Sequence, residues 1–486
     1  MNKMRQDKAG YPPHSPDNPC GLTLGGLDAN RPIHMAGIAG SAMSGLARIL
    51  RQRGFAVVGT DPRAGEANSC LTSLGIPVFE EQDGSRIVGD TQLVIATAAL
   101  PQKHPELNAA RNKGIPIVSY ADFLGVWMAD SDGVAISGTH GKTTVSSMVV
   151  TCLRQAGISP GFVIGGLVPG LGTNADSGDS PLFVAEACEF NRSFLSLSPR
   201  IAVITNIEED HLDIYNGLSE IQEAFSAFVS GLKDRDGLLV YSAECRNSVP
   251  VVRKTDCAKL SFGIEAKADI SARNIKQDEG AMRFDLYFQG APKREIRLTV
   301  PGRHNVQNAL AAIGVCHALG VSFDDAAIAL EQFSGASRRF EIRGEANGIT
   351  IVDDYAHHPT EIRALLQAAR ARFPGRRVVI VFQPHQHSRT RFFLESLSEA
   401  LSEADLSLIP DIYAARDSEE DKKTVNSKDL VDKIVTQGKS SYYVGGLENV
   451  VGQISKRATP GDVLLIAGAG DIDSIIPQVL QELRAR

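Results

Sequence analysis

What most constrains this chain is an alternation that begins at Pro32, in which short β-branched runs are separated by helix-length amphipathic stretches. Val57-Val58-Gly59, Leu93-Val94-Ile95-Ala96 and Ile115-Pro116-Ile117-Val118 are such runs. Strands that are apolar without a period of two are buried on both faces, and strands separated by helices pair in parallel, so the fold class is α/β. A second unit opens near Gly133, where Val134-Ala135-Ile136 leads through a glycine-rich turn into a helix expected over 144–156, with further strands at 182–185 and 201–204. The segment 270–300 instead alternates, as in Met282-Arg283-Phe284-Asp285-Leu286-Tyr287-Phe288, which predicts an antiparallel subsheet. A third unit follows Ser334-Gly335-Ala336-Ser337, with strands at 349–352, 378–382, 406–409, 442–444 and 463–467. The expected division is 31–131, 132–336 and 337–486, in keeping with about three domains for a chain of 486 residues. Residues 1–30 hold four prolines and no period, and are expected to be a mobile tail.

Composition excludes several classes. Fifty basic and 57 acidic side chains give a net charge of −7, which disfavours wrapping a polyanion, so no nucleic acid is expected. No apolar run approaches a membrane span, and the first twenty residues carry charges with no apolar stretch behind them, so neither membrane insertion nor export is expected. The seven cysteines are scattered and form no CxxC pair, a pattern suited to a reducing cytoplasm and not to a zinc ribbon.

The strongest chemical signal is Ser137-Gly138-Thr139-His140-Gly141-Lys142-Thr143-Thr144, between a strand and a helix. Backbone N–H groups of such a turn, with the helix N-terminus, cradle phosphate oxygens; Lys142 then neutralises phosphate charge and the Thr143 hydroxyl reaches Mg²⁺. The alternative is an ordinary tight turn, since the first glycine of the usual phosphate loop is replaced by Ile136. Glu186 closes one strand and Glu208, Asp210, His211 and Asp213 follow another, which supplies oxygen ligands for a hard cation. Near the start, Gly37-Ile38-Ala39-Gly40-Ser41 opens a helix and Asp61 lies about 20 residues on, as in a nucleotide-binding turn with a ribose-binding acid. The third unit places Asp353-Asp354-Tyr355-Ala356-His357-His358-Pro359-Thr360-Glu361 after one strand, ahead of a helix expected to be capped near Thr360, and Gln383-Pro384-His385 after another.

Taken in order, Gly138 to Thr144, Asn206-Ile207-Glu208-Glu209-Asp210-His211-Leu212-Asp213, His304-Asn305, Arg338-Arg339-Phe340, Asp353 to Thr360 and Phe382-Gln383-Pro384-His385 resemble the Mur ligases of bacterial peptidoglycan synthesis, from about Pro32 to the C-terminus. The tyrosine and double histidine favour the branch that adds L-alanine. The resemblance implies a three-domain architecture: a Rossmann-like domain for a UDP-sugar, a phosphate-loop ATPase domain, and a Rossmann-like domain that brings the amino acid. It implies ATP-dependent ligation of L-alanine to UDP-N-acetylmuramate through an acyl phosphate, with ATP and Mg²⁺; the alternatives are ligation of a preformed peptide and an ATPase switch. Lys142, Arg339 and His357 would be catalytic. Gly138, Thr139, His140, Gly141, Lys142, Thr143, Thr144, His304, Asn305, Asn308, Arg339 and Asp354 would bind ATP, and Thr143, Glu186 and His211 the metal. Gly37, Ala39, Gly40, Ser41, Asp61, Thr97 and Ala98 would hold the UDP-sugar, and Tyr355, His357 and Arg389 the amino acid. Two departures bear on specificity: Gln386 and His387 stand where that branch carries Arg-Tyr, and Cys188 alters the segment after Glu186.

Overall fold

The computed structural model describes residues 21–62, 66–232, 236–278 and 280–486. The first sheet is five-stranded and wholly parallel, in the spatial order Val78–Phe79, Val57–Thr60, Ile33–Ala36, Leu93–Ala96, Ile117–Ser119. Every residue of Ile33–Ala36 and Leu93–Ala96 is buried, as helices on both faces require. Helix Ser41–Gln52 buries Met43, Leu46, Ala47, Ile49 and Leu50, one apolar stripe at helical spacing. Strand order reverses between Ile33–Ala36 and Leu93–Ala96, so the crevice outside their carboxyl ends is where an open α/β sheet takes a ligand.

Residues 21–30, expected within a mobile tail, are docked on the fold. Leu24–Gly26 form a 3₁₀ turn, and Leu22, Leu24 and Leu27 pack on the core. Leu24 N–H donates to Asp130 at 3.3 Å. The Gln92 amide clasps Asp28, accepting from its N–H at 2.9 Å and donating to its carbonyl at 2.6 Å. The leucines supply the contacts that prolines alone do not reveal. Residues 1–20 lie outside the described residues.

The central sheet has ten strands. Its parallel core runs Ala258–Gly263, Leu238–Ser242, Ile201–Ile204, Asp132–Ser137, Leu182–Ala187, Gly161–Val168. Ile270–Asp278, Ala281–Phe288 and Ala291–Leu298 extend one side as the expected antiparallel subsheet, and Thr173–Asp176 closes the other edge. Helix Lys142–Gln155 lies against helix Arg303–Ala318 in one apolar core that includes Val149, Cys152, Leu310 and Cys316. A second core crosses from the first sheet to the central one: Met43 and Leu46 join Trp127, Val163, Ala175 and Phe183. The first two units are thus bound by shared apolar burial.

The third sheet has the order Glu341–Ala346, Ile349–Asp354, Val463–Ala467, Val378–Phe382, Leu406–Pro410, Ser441–Gly445, parallel except for its first strand. Its connection to the central unit is the turn of Arg338 and Phe340, both at positive φ (58° and 51°), a strained backbone for residues with side chains. Helix Pro359–Arg372 is capped by His358 and not by Thr360: the Thr360 N–H donates to His358 Nδ1 at 3.3 Å, and the Glu361 carboxylate reaches back to the His358 N–H.

Candidate active site

Strand Asp132–Ser137 ends in the middle of the central sheet, and the chain turns into helix Lys142–Gln155 over four residues. Gly138 and Gly141 have φ of 133° and 86°. A Cβ would come within 1.9 Å of Thr205 Oγ1 at Gly138 and 2.6 Å of Asn308 Oδ1 at Gly141. Only glycine allows this turn to lie flat against its neighbours, and Asn206 accepts the N–H groups of Thr139 and His140 at 3.1 and 2.9 Å. Lys142 Nζ sits 2.9 Å from Glu189 and donates to the carbonyls of Gly138 and Thr139. Burial by itself would lower its pKa, but the Glu189 carboxylate holds it above the ordinary ammonium range.

Glu189 is the residue that sequence reasoning passed over. Its carboxylate lies between Lys142 and His211, whose Nε2 is 3.9 Å away. Glu186, the expected metal ligand, instead accepts the Gly165 N–H at 2.6 Å. It still belongs to the same pocket: Cβ positions at Gly165 and Gly166 would meet the Glu186 oxygens at 3.1 Å and the Thr143 methyl at 3.5 Å respectively. Glu189 follows Glu186 by one helical turn's spacing, but the chain between them is extended and then irregular, so no periodicity marks it. His211 has φ of 51° and its buried Nδ1 has no hydrogen-bond partner. Thr143 and Glu186 lie against the adjacent Gly166 and Gly165, and Glu189 lies between Lys142 and His211.

The central and third units meet over the phosphate loop. His140 Nδ1 is 3.1 Å from Glu361, and its Nε2 is 3.6 Å from Glu208. Burial pulls the His140 pKa down, but Glu361 and Glu208 outweigh it and hold the imidazolium up to about 9. Glu208 in turn is held down to about 2, despite its burial, by His140 and by the Thr360 hydroxyl that donates at 2.7 Å. His358 Nε2 reaches the carbonyl of Glu209 at 3.2 Å. His140, Glu208 and His358 cluster closely enough to suggest metal ligands. However, His358 Nδ1 already accepts the capping N–H of Thr360 and His140 is a cation between carboxylates, so the cluster is an ion-paired clasp.

A cavity of about 530 Å³ opens beside this clasp. His304, Asn305 and Asn308 from helix Arg303–Ala318 line it, together with Gly141, Thr144, Arg339 and Asp354. Asn308 donates to Asn305 at 3.1 Å, and Asn305 donates to the Pro301 carbonyl at 2.7 Å. Burial, with the Arg339 charge, holds His304 down to about 4, so it faces the cavity neutral. Asp354 accepts the N–H groups of Phe340 and Ala356 at 2.7 Å each, and burial raises its pKa to about 6. The size and the mix of polar groups suit a nucleoside.

Tyr355 is flanked by the guanidinium groups of Arg338 and Arg339, 5.1 and 5.2 Å from its ring centre. His357 Nδ1 lies 3.0 Å from the Tyr355 carbonyl and 3.3 Å from Glu361. Both neighbours only accept, so Nδ1 carries the proton and Nε2 keeps its lone pair. Burial holds His357 down to about 4, neutral at pH 7. Arg389 does not stand free to bind a ligand. Its Nε and Nη2 lie 3.0 and 2.9 Å from Asp210 of the central unit, and Nη1 contacts His385 Nδ1 at 3.0 Å. His387 is likewise committed, to Asp417 at 3.0 Å.

In the first unit, Gly37 ends its strand with φ of 80°, and a Cβ there would lie 2.4 Å from Thr97 Cγ2, so the two expected strand-end segments touch. Asp61 accepts the Ala39 N–H at 3.2 Å and fixes the turn. Gly40 precedes helix Ser41–Gln52, Ser41 donates to the Gly165 carbonyl of the central unit at 3.0 Å, and Ala98 is exposed.

These features define a phosphate-loop nucleotide-binding protein whose loop is flanked by two further α/β units. The sequence matches the Mur ligase family, catalytic domain, over residues 32–132, the Mur ligase middle domain over 136–316, and the Mur ligase, glutamate ligase domain over 338–470. The chain belongs to the Mur ligase family, and is thereby an ATP-dependent amide-forming ligase. It is 38% identical to the UDP-N-acetylmuramate--L-alanine ligase of Agathobacter rectalis, over 94% of this chain and 99% of that one. It is 41% identical to the enzyme of the same name from Clostridium novyi, over 92% and 96%. Among solved structures it is similar to the UDP-N-acetylmuramate-alanine ligase of Thermotoga maritima, with TM-score 0.79 and 30% identity, covering 94% of this chain and all of that one. A murein peptide ligase from Psychrobacter arcticus is similar at TM-score 0.71 and 25% identity. Among the described residues no helix is long and apolar enough to cross a membrane.

Proposed function

We propose that this enzyme joins L-alanine to the carboxylate of UDP-N-acetylmuramate, using ATP and passing through an acyl phosphate. The reading rests on the relatives of 38% and 41% identity that carry this activity in their names and match over nearly the whole chain. A carboxylate is a poor electrophile. Transfer of the γ-phosphoryl group to a carboxylate oxygen breaks the bond to ADP and makes an acyl phosphate, a mixed anhydride whose phosphate is a good leaving group. The amine of L-alanine attacks the carbonyl carbon, and the tetrahedral intermediate expels phosphate to leave the amide.

The chain's residues have separable parts in this scheme. ATP enters the cavity between the helix of His304, Asn305 and Asn308 and the carboxylate of Asp354, and its phosphates lie on the turn 138–144. Lys142 exchanges Glu189 for phosphate oxygens and stabilises the charge on the transferring group. Arg339 faces the same cleft from the connecting turn. Mg²⁺, held by Thr143, Glu186, Glu189 and His211, would supply charge neutralisation at the phosphates. His357, neutral with a free Nε2, accepts the proton that the attacking amine gives up. The clasp of His140, Glu208, Thr360 and Glu361 seats the third unit on the phosphate loop and keeps water from the acyl phosphate. The UDP-sugar is placed by the turn 37–41, Asp61 and the strand end at Thr97. Free thiols at the six described cysteines suit a cytoplasmic enzyme.

The structural similarity to murein peptide ligases gives the competing reading, in which a preformed peptide replaces L-alanine. Incubation with ATP, Mg²⁺, UDP-N-acetylmuramate and either L-alanine, other amino acids or a peptide, followed by mass spectrometry, separates the two. An L-alanyl product with stoichiometric ADP and phosphate is expected; an adduct with peptide only, or ADP without adduct, overturns the proposal.

A further inference from the structure

The first unit holds a buried polar cluster that the scheme above does not use. His34, Thr60 and Glu106 come from strands Ile33–Ala36 and Val57–Thr60 and helix Pro105–Asn112, and all three are wholly buried. Glu106 lies 2.8 Å from His34 Nε2, and its two oxygens accept the Thr60 hydroxyl at 2.7 and 2.9 Å. A carboxylate only accepts, so both neighbours are committed as donors. The loop 80–87 closes over the cluster. Gly84, at φ of 88°, lies so near helix Pro105–Asn112 that a Cβ would come within 2.6 Å of Ala109, and Gln82 Nε2 donates to the Thr60 hydroxyl oxygen at 3.4 Å.

Three polar side chains are a costly filling for a core. Apolar residues of similar volume often serve stability as well or better, because polar groups must be stripped of water before they can bond. What the polar set adds is direction, and here the direction leads to the turn assigned to the UDP-sugar. Thr60 is the last residue of its strand. Its hydroxyl is held from inside the unit by Glu106, and its carbonyl accepts two N–H groups of that turn, those of Gly37 at 2.8 Å and Ile38 at 3.1 Å. The next residue, Asp61, accepts the Ala39 N–H at 3.2 Å. The Ile38 side chain is wholly buried and lies over Gly59, where a Cβ would meet it at 2.5 Å. Three consecutive amides of the turn thus hang on residues 60 and 61, and Gly40 and Ser41, which open helix Ser41–Gln52, follow directly. A shift at Thr60 moves all of them together.

We infer that His34, Glu106 and Thr60 are positioning residues for the UDP-sugar, which fix the turn 37–41 from within the core without touching the ligand. The inference rests on the placement of the UDP-sugar given above. Its test is calorimetric titration with UDP-N-acetylmuramate in the presence of Mg²⁺ and a non-hydrolysable ATP analogue, together with steady-state kinetics and melting curves, on full-length wild-type, Thr60→Val, Glu106→Leu and Glu106→Gln enzymes. Thr60→Val keeps the carbonyl and a strand-favouring branched side chain and removes only the hydroxyl. It should weaken binding of UDP-N-acetylmuramate about tenfold, the scale of one hydrogen bond to a charged group, and Glu106→Leu should weaken it at least as much. KM for ATP and for L-alanine, and kcat, should stay within about twofold. Glu106→Gln, whose amide oxygen still accepts from Thr60, should bind within about threefold of the wild type. An unchanged dissociation constant in Thr60→Val, with or without a lower melting temperature, leaves the cluster a structural filling and overturns the inference. Parallel rises in KM for ATP and L-alanine overturn it as well, and so does a Glu106→Gln enzyme as weak as Glu106→Leu, since charge and not the hydrogen bond would then be acting. A wild-type enzyme that fails to bind UDP-N-acetylmuramate shows, separately, that the proposed function is wrong.

Discussion

Replacement of Arg389 by glutamine tests how the central and third units are held together. Arg389 and Asp210 have side-chain exposures of 7% and 6%, and two guanidinium nitrogens lie within 3.0 Å of one carboxylate oxygen. Without Arg389, the nearest donor left to Asp210 is the His211 N–H at 2.7 Å. Stranding one partner of a buried ion pair costs about 3–5 kcal/mol. The pair crosses between units, so the least costly relaxation is for the units to part and let Asp210 hydrate. A loss of about 3 kcal/mol is roughly a 150-fold shift in that closing equilibrium. Ligands that need the closed form then lose apparent affinity together. Arg389→Gln should therefore raise KM for ATP and for L-alanine in parallel, and small-angle scattering should show a larger radius of gyration. Asp210→Asn in the same chain removes the stranded charge and should restore much of the loss. A rise in KM for L-alanine alone, with coupling between the two substitutions below about 0.5 kcal/mol, would refute this reasoning and return Arg389 to the substrate.

Lys142→Ala should keep a native circular-dichroism spectrum while turnover falls by about 10²–10³, the usual worth of one preorganised electrostatic contact; near-normal turnover would remove Lys142 from the phosphate site. Glu189→Gln should raise the Mg²⁺ concentration for half-maximal rate by about tenfold, on the scale at which the shell around a metal acts. An unchanged Mg²⁺ dependence would leave Glu189 as a counter-ion to Lys142 only. The folded pKa of His140, about 9, lies above its ordinary value of 6.5. Its stabilising contribution is thus complete below about pH 6.5 and lost as pH rises through about 9. Melting temperature should decline across that window, and the decline should flatten in His140→Asn; an identical slope in the variant would place the titration elsewhere.

Sequence alone determined what depends on neighbours along the chain. The α/β alternation, the antiparallel subsheet over 270–300 and the phosphate loop are all short-range patterns, in which the side-chain period or the glycine spacing is itself the cause of the structure. The same locality explains where the reading stopped. Gly161–Val168, next to the edge of the central sheet, contains Gly165-Gly166, and Gly165, which weakens its strand pattern, lets Glu186 approach the backbone. Three half-buried leucines docked residues 21–30, where proline content suggested a mobile segment. His358 became a helix cap because Glu208 and Glu209 of another unit sit above it. The site itself was divided differently by the tertiary structure than by the list of chemically able residues. Glu189, which the sequence did not single out, faces Lys142, and Arg389 pairs with Asp210, 179 positions away, where a substrate contact was expected. A charged side chain buried at an interface takes whichever partner best offsets its lost hydration, and that partner comes from a distant part of the chain which only folding brings within 3 Å.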